Sequence, residues 1–75
     1  MKELIEYIAK SLVDDPTSVK VSEERRGSSM VLELSVAPED MGRVIGRSGR
    51  VANAMRTLLR VSATKKGKRA TLDIV

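Results

Sequence analysis

One stretch of the sequence combines residue types that suit an anion. Residues 42–50 read GRVIGRSGR, in which Gly46 and Gly49 are separated by two residues. Glycine permits a sharp turn and leaves no Cβ between the backbone and a ligand. If a helix begins just after the second glycine, its free N–H groups and its positive dipole end face the loop. Three arginines within or beside the loop add positive charge: Arg43, Arg47 and Arg50.

Other chemistries fit the chain poorly. The stretch lacks the Gly-Lys-Ser/Thr ending of a Walker A loop, and it also lacks the Gly-x-Gly-x-x-Gly spacing of a dinucleotide fold. Cysteine and histidine are absent, which excludes thiolate and imidazole metal sites and the nucleophiles or bases built on them. Asp14 and Asp15 stand directly before Pro16 and are interpreted as the end of a helix. The sequence therefore predicts no catalytic site, metal or cofactor, and we expect a protein that is not an enzyme.

Composition favours a small globular protein with a polyanionic partner. The chain has 75 residues, 41% of them hydrophobic and 32% charged, with a net charge of +4. This length predicts a single domain, residues 1–75, with a thin core. The charge favours nucleic acid over a membrane surface, although +4 could also serve only solubility. No apolar run approaches the roughly 18 residues of a membrane span, and the N-terminus does not resemble a secretory signal, so we expect a cytoplasmic location.

Hydrophobic periodicity predicts the element order α-β-β-α-α-β. The expected bounds are 2–13 for the first helix, 18–26 and 30–37 for a hairpin, 38–45 and 50–62 for two helices, and 70–74 for a last strand. A last strand that follows a helical crossover can lie parallel to its neighbour. The expected fold class is α+β with two layers, in which three helices cover one face of a three-stranded mixed sheet.

The second of the two adjacent helices is predicted to have opposed faces. At 100° per residue, one face carries four apolar side chains that we expect to be buried: Val51, Met55, Leu58 and Leu59. The opposite face carries Arg56 and Arg60, which we interpret as a solvated face. The basic residues 65–69 that follow are interpreted as a soluble turn. Contact with RNA remains an open alternative for both groups.

Residues 44–50 resemble the signature of KH domains, and the element order matches the type II arrangement. Within that family the resemblance is greatest to the small stand-alone bacterial KhpA proteins, and it covers the whole chain. KH domains clamp the backbone of about four single-stranded nucleotides with their Gly-x-x-Gly loop. The resemblance implies that the loop residues hold phosphates and that two flanking arginines add charge: Gly46, Arg47, Ser48 and Gly49, with Arg43 and Arg50.

The resemblance also implies a groove for the bases between the two helices and the middle strand. Its aliphatic floor would be formed by Val44, Ile45 and Val51 from the helices, together with Leu34 or Val36 from the strand. The only aromatic residue is Tyr7, on the first helix. Because RRM and cold-shock domains stack bases on aromatic side chains of their sheets, the sequence argues against those folds.

The function implied by the resemblance is that of a single-stranded RNA-binding protein, an RNA chaperone or post-transcriptional regulator. The KhpA family further implies pairing with a second copy or with KhpB, a larger Jag-type KH protein, and a link to cell shape and cell-wall homeostasis. No membrane partner is implied. The alternative is a protein-interaction module, a dimerisation or adaptor domain, in which RNA contact is secondary.

Overall fold

The computed structural model describes all residues from 1 to 75. Its helices are α1 (Lys2–Leu12), α2 (Met41–Ile45) and α3 (Arg50–Lys65), and its strands are β1 (Lys20–Arg26), β2 (Ser29–Ser35) and β3 (Arg69–Ile74). Single 3-10 turns precede β1, α2 and α3, at Pro16–Ser18, Pro38–Asp40 and Arg47–Gly49. The predicted order α-β-β-α-α-β is confirmed.

The three strands form one mixed sheet in the order β1-β2-β3. β1 and β2 pair antiparallel across a tight turn at Gly27, whose φ of 62° suits glycine. β3 pairs parallel with β2, so that Leu72 lies beside Leu32. The predicted hairpin and the predicted parallel strand are both confirmed. Because β2 is the middle strand, β1 and β3 each leave one edge free.

The helices cover one face of the sheet, and the core lies between the two layers. A cluster of 12 buried residues joins all three helices to all three strands. Ile5 of α1, Val44 of α2 and Leu59 of α3 are fully buried within it. The opposite face of the sheet is polar and open to solvent, as the aligned residues Ser22, Glu33 and Asp73 show. The predicted two-layer α+β fold is therefore correct.

Two details of α3 differ from the prediction. The helix extends to Lys65, three residues beyond the expected end, and Leu58 is 49% exposed although we expected it to be buried. The buried stripe consists of Ala52, Met55, Leu59 and Ala63. Alanines occupy two of these buried positions, where α3 packs against the sheet. Leu58 lies roughly a quarter-turn from the centre of this stripe, so hydropathy alone assigned it to the wrong face.

Arg56 also departs from the expected solvated face. Its side chain is partly buried, and its Nε donates a hydrogen bond of 3.2 Å to the carbonyl oxygen of Leu72. Its Nη1 donates to Oδ1 of Asn53, also at 3.2 Å. Arg60, one turn further along, is exposed as predicted. Arg56 therefore ties α3 to β3 and covers a backbone carbonyl of that edge strand.

Candidate nucleic-acid interface

The loop between α2 and α3 is a tight turn built on left-handed backbone. The Gly46 N–H donates to the carbonyl of Gly42 at 2.9 Å and ends α2, and the Gly49 N–H donates to the carbonyl of Gly46 at 3.2 Å. Gly46 and Gly49 both have φ of 76°, and Ser48 between them has φ of 56°. Ser48 is the one residue other than glycine with positive φ. Residues 47 and 48 are the exposed residues between the two glycines and form the tip of the loop.

The two glycines are required for different reasons. A Cβ on Gly46 would lie 2.5 Å from Cγ2 of Val51 and 2.9 Å from the Val51 backbone nitrogen. A Cβ on Gly49 would meet only the Asn53 side chain, at 3.8 Å. Close packing of the loop on α3 thus excludes a side chain at 46, whereas only the backbone angle favours glycine at 49.

The tip of the loop offers unpaired positive charge at the start of a long helix. Arg47, Ser48 and Arg50 are exposed, and neither arginine takes part in an ion pair. α3 has 16 residues, and its first N–H groups and positive dipole end lie at the loop. Backbone donors, a hydroxyl and two guanidinium groups at one place form an arrangement suited to a phosphate group.

Arg43, predicted to add charge beside the loop, is held by two carboxylates. Its Nη1 lies 3.1 Å from Oδ1 of Asp40, and its Nη2 lies 3.1 Å from Oδ2 of Asp14. Asp40 is only 1% exposed and also accepts hydrogen bonds from the backbone N–H groups of Asp14 and Asp15, both at 3.1 Å. We call Asp14, Asp15, Asp40 and Arg43 the Asp40 clamp. It fixes the start of α2 to the segment that follows α1.

The Asp40 clamp has no counterpart among the predicted site residues. Asp40 lies within the segment 38–45 that was predicted to be a helix, and no partner was predicted for it. One signal was available in the three-residue spacing of Asp40 and Arg43, which brings opposite charges together on a helix. No pattern among neighbouring residues indicated that Arg43 would also pair with Asp14. Asp14 lies 26 residues before Asp40 in the sequence.

The predicted aliphatic groove residues fall into two groups. Ile45 is 37% exposed beside the loop, and Val51 is partly buried under Gly46. The others have almost no surface: Val44 and Leu34 are at 0% exposure and Val36 is at 8%. The side chains expected from the middle strand are therefore covered by the helices. Neither Leu34 nor Val36 therefore offers exposed surface to a base, and the exposed hollow lies beside the edge strand.

That hollow is an open cleft between α3 and β3, which we call the α3–β3 cleft. One part, of about 270 Å³, is lined by Arg56, Arg60 and residues 70–73. The other, of about 350 Å³, is lined by Arg60, Thr64, Lys68 and residues 69–71. Since the two parts share Arg60, Ala70 and Thr71, they form one continuous depression. It extends toward the end of α3 that is remote from the loop.

Charge is divided unequally between the two parts of the chain. Residues 47–75 contain eight lysines and arginines and a single carboxylate, Asp73. Residues 1–46 contain six lysines and arginines and nine carboxylates. The pKa values of two carboxylates in residues 1–46 are lowered. Hydrogen bonds from Thr17 and Ser18 lower the pKa of Asp15. A hydrogen bond from the backbone N–H of Glu3 and the nearby terminal ammonium lower the pKa of the Glu3 carboxyl. The loop and the cleft thus share the strongly basic part.

No three carboxylates come close enough together to hold a metal ion. No helix has the length and apolar character needed to cross a membrane.

Comparison with known proteins agrees with this geometry. The family model described as "KhpA/KhpB, KH domain" matches residues 2–74. The chain belongs to this KH-domain family. A relative from Clostridium acetobutylicum, named RNA-binding protein KhpA, is 55% identical over 75 residues, which cover all of this chain and all of the relative. A relative of the same name from Aquifex aeolicus is 43% identical over all of this chain and 95% of its own length.

Solved structures agree on the KH fold. A variant of Aquifex aeolicus Era, bound to GDP and AlF4−, matches 97% of this chain with a TM-score of 0.66 and 19% identity. Era in complex with MgGDPNP and nucleotides 1506–1542 of 16S ribosomal RNA matches with a TM-score of 0.59. The chain spans only 28% of each Era chain, so the likeness concerns one part of a larger protein. The resemblance of the chain to the KH-domain family is confirmed.

Proposed function

We propose that this KH domain binds single-stranded RNA and that the loop at residues 46–49 holds its phosphates. The main observation is that Arg47 and Ser48 are exposed on a tight glycine turn that opens α3. The names of its full-length relatives support RNA as the ligand. Gly46 and Gly49 let the RNA backbone approach closely, and Arg47 and Arg50 supply charge that no carboxylate offsets.

Arg43 and Val44 have supporting parts in this proposal. Because Asp14 and Asp40 offset the charge of Arg43, its main contribution is to orient α2. Val44 lies beneath the loop in the core and fixes the same helix from below. Ile45 and Val51 supply aliphatic surface beside the phosphates. Bases leaving the loop enter the α3–β3 cleft, where hydrogen bonds and aliphatic contacts replace aromatic stacking.

The same family membership supports a wider role, as an RNA chaperone or post-transcriptional regulator in the cytoplasm. A single KH site that contacts about four nucleotides binds RNA weakly. Pairing with a second copy or with a KhpB-type protein would therefore raise the apparent affinity for RNA. A link to cell shape and cell-wall homeostasis forms part of this proposal and rests on the family alone.

A second candidate function is that of an interaction module. Leu58 and Val61 lie three residues apart on α3 and are 49% and 50% exposed. Exposed apolar pairs on one helical face can serve as contact points between proteins. Measurement of molar mass over a range of concentrations tests self-association, and crosslinking with recovery of bound RNA separates the two functions.

The loop is tested by reversing its charge. The double variant Arg47→Asp/Ser48→Asp places two carboxylates where phosphates should bind, so we expect loss of binding to a short single-stranded RNA. The fold should remain, because both side chains are exposed. Fluorescence anisotropy measures binding, and circular dichroism checks the fold.

Lys20→Asp/Ser28→Asp is the matched control, since it makes the same charge change at two exposed positions of the β1–β2 hairpin. We expect this control to retain most of its affinity. Undiminished binding by the folded loop variant would contradict the proposal.

A further inference from the structure

Ser48 carries a free hydroxyl group at the tip of the loop. Its side chain is exposed and makes no hydrogen bond within the protein. Five other hydroxyl groups donate to a carboxylate or to a backbone carbonyl, namely those of Ser11, Thr17, Ser18, Ser22 and Thr57. Glycines at 46 and 49 let a second protein approach the Ser48 backbone closely. The hydroxyl is therefore accessible to an enzyme that modifies serine.

A phosphate group attached to Ser48 would lie among positive charges that no carboxylate offsets. Arg47 and Arg50 are exposed, and neither takes part in an ion pair. α3 begins at Arg50, two residues after Ser48, and its positive dipole end lies at the loop. A phosphoserine carries a charge of about −1.5 to −2 near pH 7 and is stabilised at a helix N-terminus or beside arginines. Position 48 offers both.

The other exposed serine and threonine hydroxyls without an internal hydrogen bond lack these features. Ser28 follows Arg25 and Arg26, but each of these arginines pairs with a glutamate of the same strand, at 3.2 and 3.1 Å. Thr64 lies in the last turn of α3, at the negative end of the helix dipole. Thr71 lies two residues before a carboxylate on the same side of β3. Only at position 48 would an attached phosphate meet free cations and the start of a helix.

We propose that Ser48 is a phosphorylation site and that a phosphate group on its Oγ closes the loop to RNA. This inference rests on the proposed function, because it concerns the regulation of the same site. In the transfer, Ser48 Oγ forms a bond to the γ-phosphorus of a nucleoside triphosphate held by a protein kinase. The bond from that phosphorus to the β–γ bridging oxygen breaks, and its electron pair leaves with the nucleoside diphosphate. The hydroxyl proton passes to a carboxylate of the kinase.

The attached phosphate competes directly with RNA. It takes the two free guanidinium groups and the first N–H groups of α3, which the proposed function assigns to a phosphate of the RNA strand. A second phosphate at the same place would be repelled by the first, since both are anionic. Hydrolysis of the phosphate ester by a phosphatase restores the hydroxyl and opens the loop again.

The effect on RNA binding is tested with three full-length proteins. One is unmodified, and the others carry phosphoserine at position 48 or at position 28, installed by genetic encoding. Position 28 is the matched control, because Ser28 is exposed in a turn, stands beside two arginines and receives the same charge. We expect phosphorylation at position 48 to weaken binding of an octauridylate by roughly tenfold or more, and at position 28 by less than about threefold. Fluorescence anisotropy measures the affinities, and circular dichroism checks the fold. Equal weakening at both positions, or none at 48, would overturn the proposal.

The place that the phosphate occupies is tested without RNA. Guanidinium groups and a helix N-terminus favour the dianion, so the pKa of phosphoserine at position 48 should lie below that at position 28. Phosphorus-31 NMR over a pH series measures both pKa values. Adding Arg47→Gln/Arg50→Gln to the protein phosphorylated at 48 should remove most of the difference. Equal pKa values at the two positions would show that the phosphate does not enter the loop site. If the unmodified protein binds no single-stranded RNA although the pKa values differ, the proposed function fails while the anion site of the loop stands.

The modification itself is measured on protein isolated from the cells that produce it. Cleavage after Glu39 releases residues 40–75, which contain no further glutamate. Fragmentation mass spectrometry of this peptide should place one phosphate on Ser48, and phosphatase treatment should remove it. A peptide without phosphate from both growing and starved cells would overturn Ser48 as a modification site.

Discussion

Gly46 and Gly49 are equivalent in the sequence but not in the structure. Gly46 has φ of 76° and ψ of 173°, a region that essentially only glycine occupies. Gly49 has φ of 76° and ψ of 14°, which is left-handed helical and tolerable for other residues. Ser48 shows this tolerance, since it adopts nearly the same conformation. The spacing of the two glycines predicted a sharp turn but could not show which of them also accommodates Val51.

Replacing each glycine by alanine should therefore have unequal effects. Gly46→Ala puts a residue other than glycine into a backbone region that only glycine occupies, which destabilises the fold by about 1–3 kcal/mol. It also places a Cβ 2.5 Å from Cγ2 of Val51, which adds a steric clash. Gly49→Ala should cost only about 1–2 kcal/mol, for the left-handed conformation. Urea denaturation measures both free energies of unfolding. Equal losses would show that the close packing of the loop on α3 is not what requires glycine.

At the scale of elements, α2 is too short to be stable alone. It has five residues, and an isolated helix of that length does not form in water. Val44 holds it from the core, Gly46 ends it, and the Asp40 clamp fixes its start. Because the loop follows α2 directly, the direction in which Arg47 and Ser48 point depends on this short helix and on its clamp.

Asp40→Asn separates positioning from charge. The amide cannot accept at both of its terminal atoms, so one backbone N–H loses its partner and the ion pair with Arg43 is lost. We expect a loss of roughly 2 kcal/mol in stability and weaker RNA binding. Removal of a negative charge would by itself strengthen RNA binding, so weaker binding identifies a positioning effect.

Glu39→Gln provides the comparison, because it removes the same charge from the exposed neighbouring residue. We expect unchanged stability and equal or slightly tighter binding for this variant. Binding is measured at a temperature where both proteins are folded. If Asp40→Asn and Glu39→Gln bind RNA equally, the clamp does not position the loop.

Local patterns predicted the elements well and their lateral arrangement poorly. Alternation and helical spacing gave the element order and most bounds, because these depend on neighbouring residues. The predicted burial of Leu58 was wrong, and the side chains expected in the groove from the middle strand are covered, since both features depend on how α3 lies over the sheet. Leu34 looked available from the sequence, but the middle strand is the one that the helices cover most fully.

At the scale of the whole molecule, the loop and the cleft share one strongly basic part of the chain. Composition predicted a polyanionic partner from a net charge of +4. That figure understates the local charge, because the carboxylates are concentrated in residues 1–46. Sequence alone could not show that Arg60, Lys68 and Arg69 would line one cleft, since β3 had to be placed beside β2 first.

The salt dependence of binding follows from the number of phosphates engaged. For a tetranucleotide, roughly three to four neutralised phosphates at about 0.7 each give a log–log slope near −2 to −3. The slope is read from affinities measured over a series of potassium chloride concentrations. An affinity independent of salt would exclude phosphate clamping, and a slope near −10 would indicate a basic surface far larger than the loop.

The exposed arginines of the loop and of the α3–β3 cleft also act on an RNA strand before any contact forms. Their charges attract an approaching polyanion over a distance set by the screening length, which is about 10 Å at 0.1 M salt. This attraction favours approach of the strand to the basic surface over approach to other faces of the protein. Encounters then begin with the loop and the cleft already facing the strand. Added salt should accordingly slow association much more than it speeds dissociation.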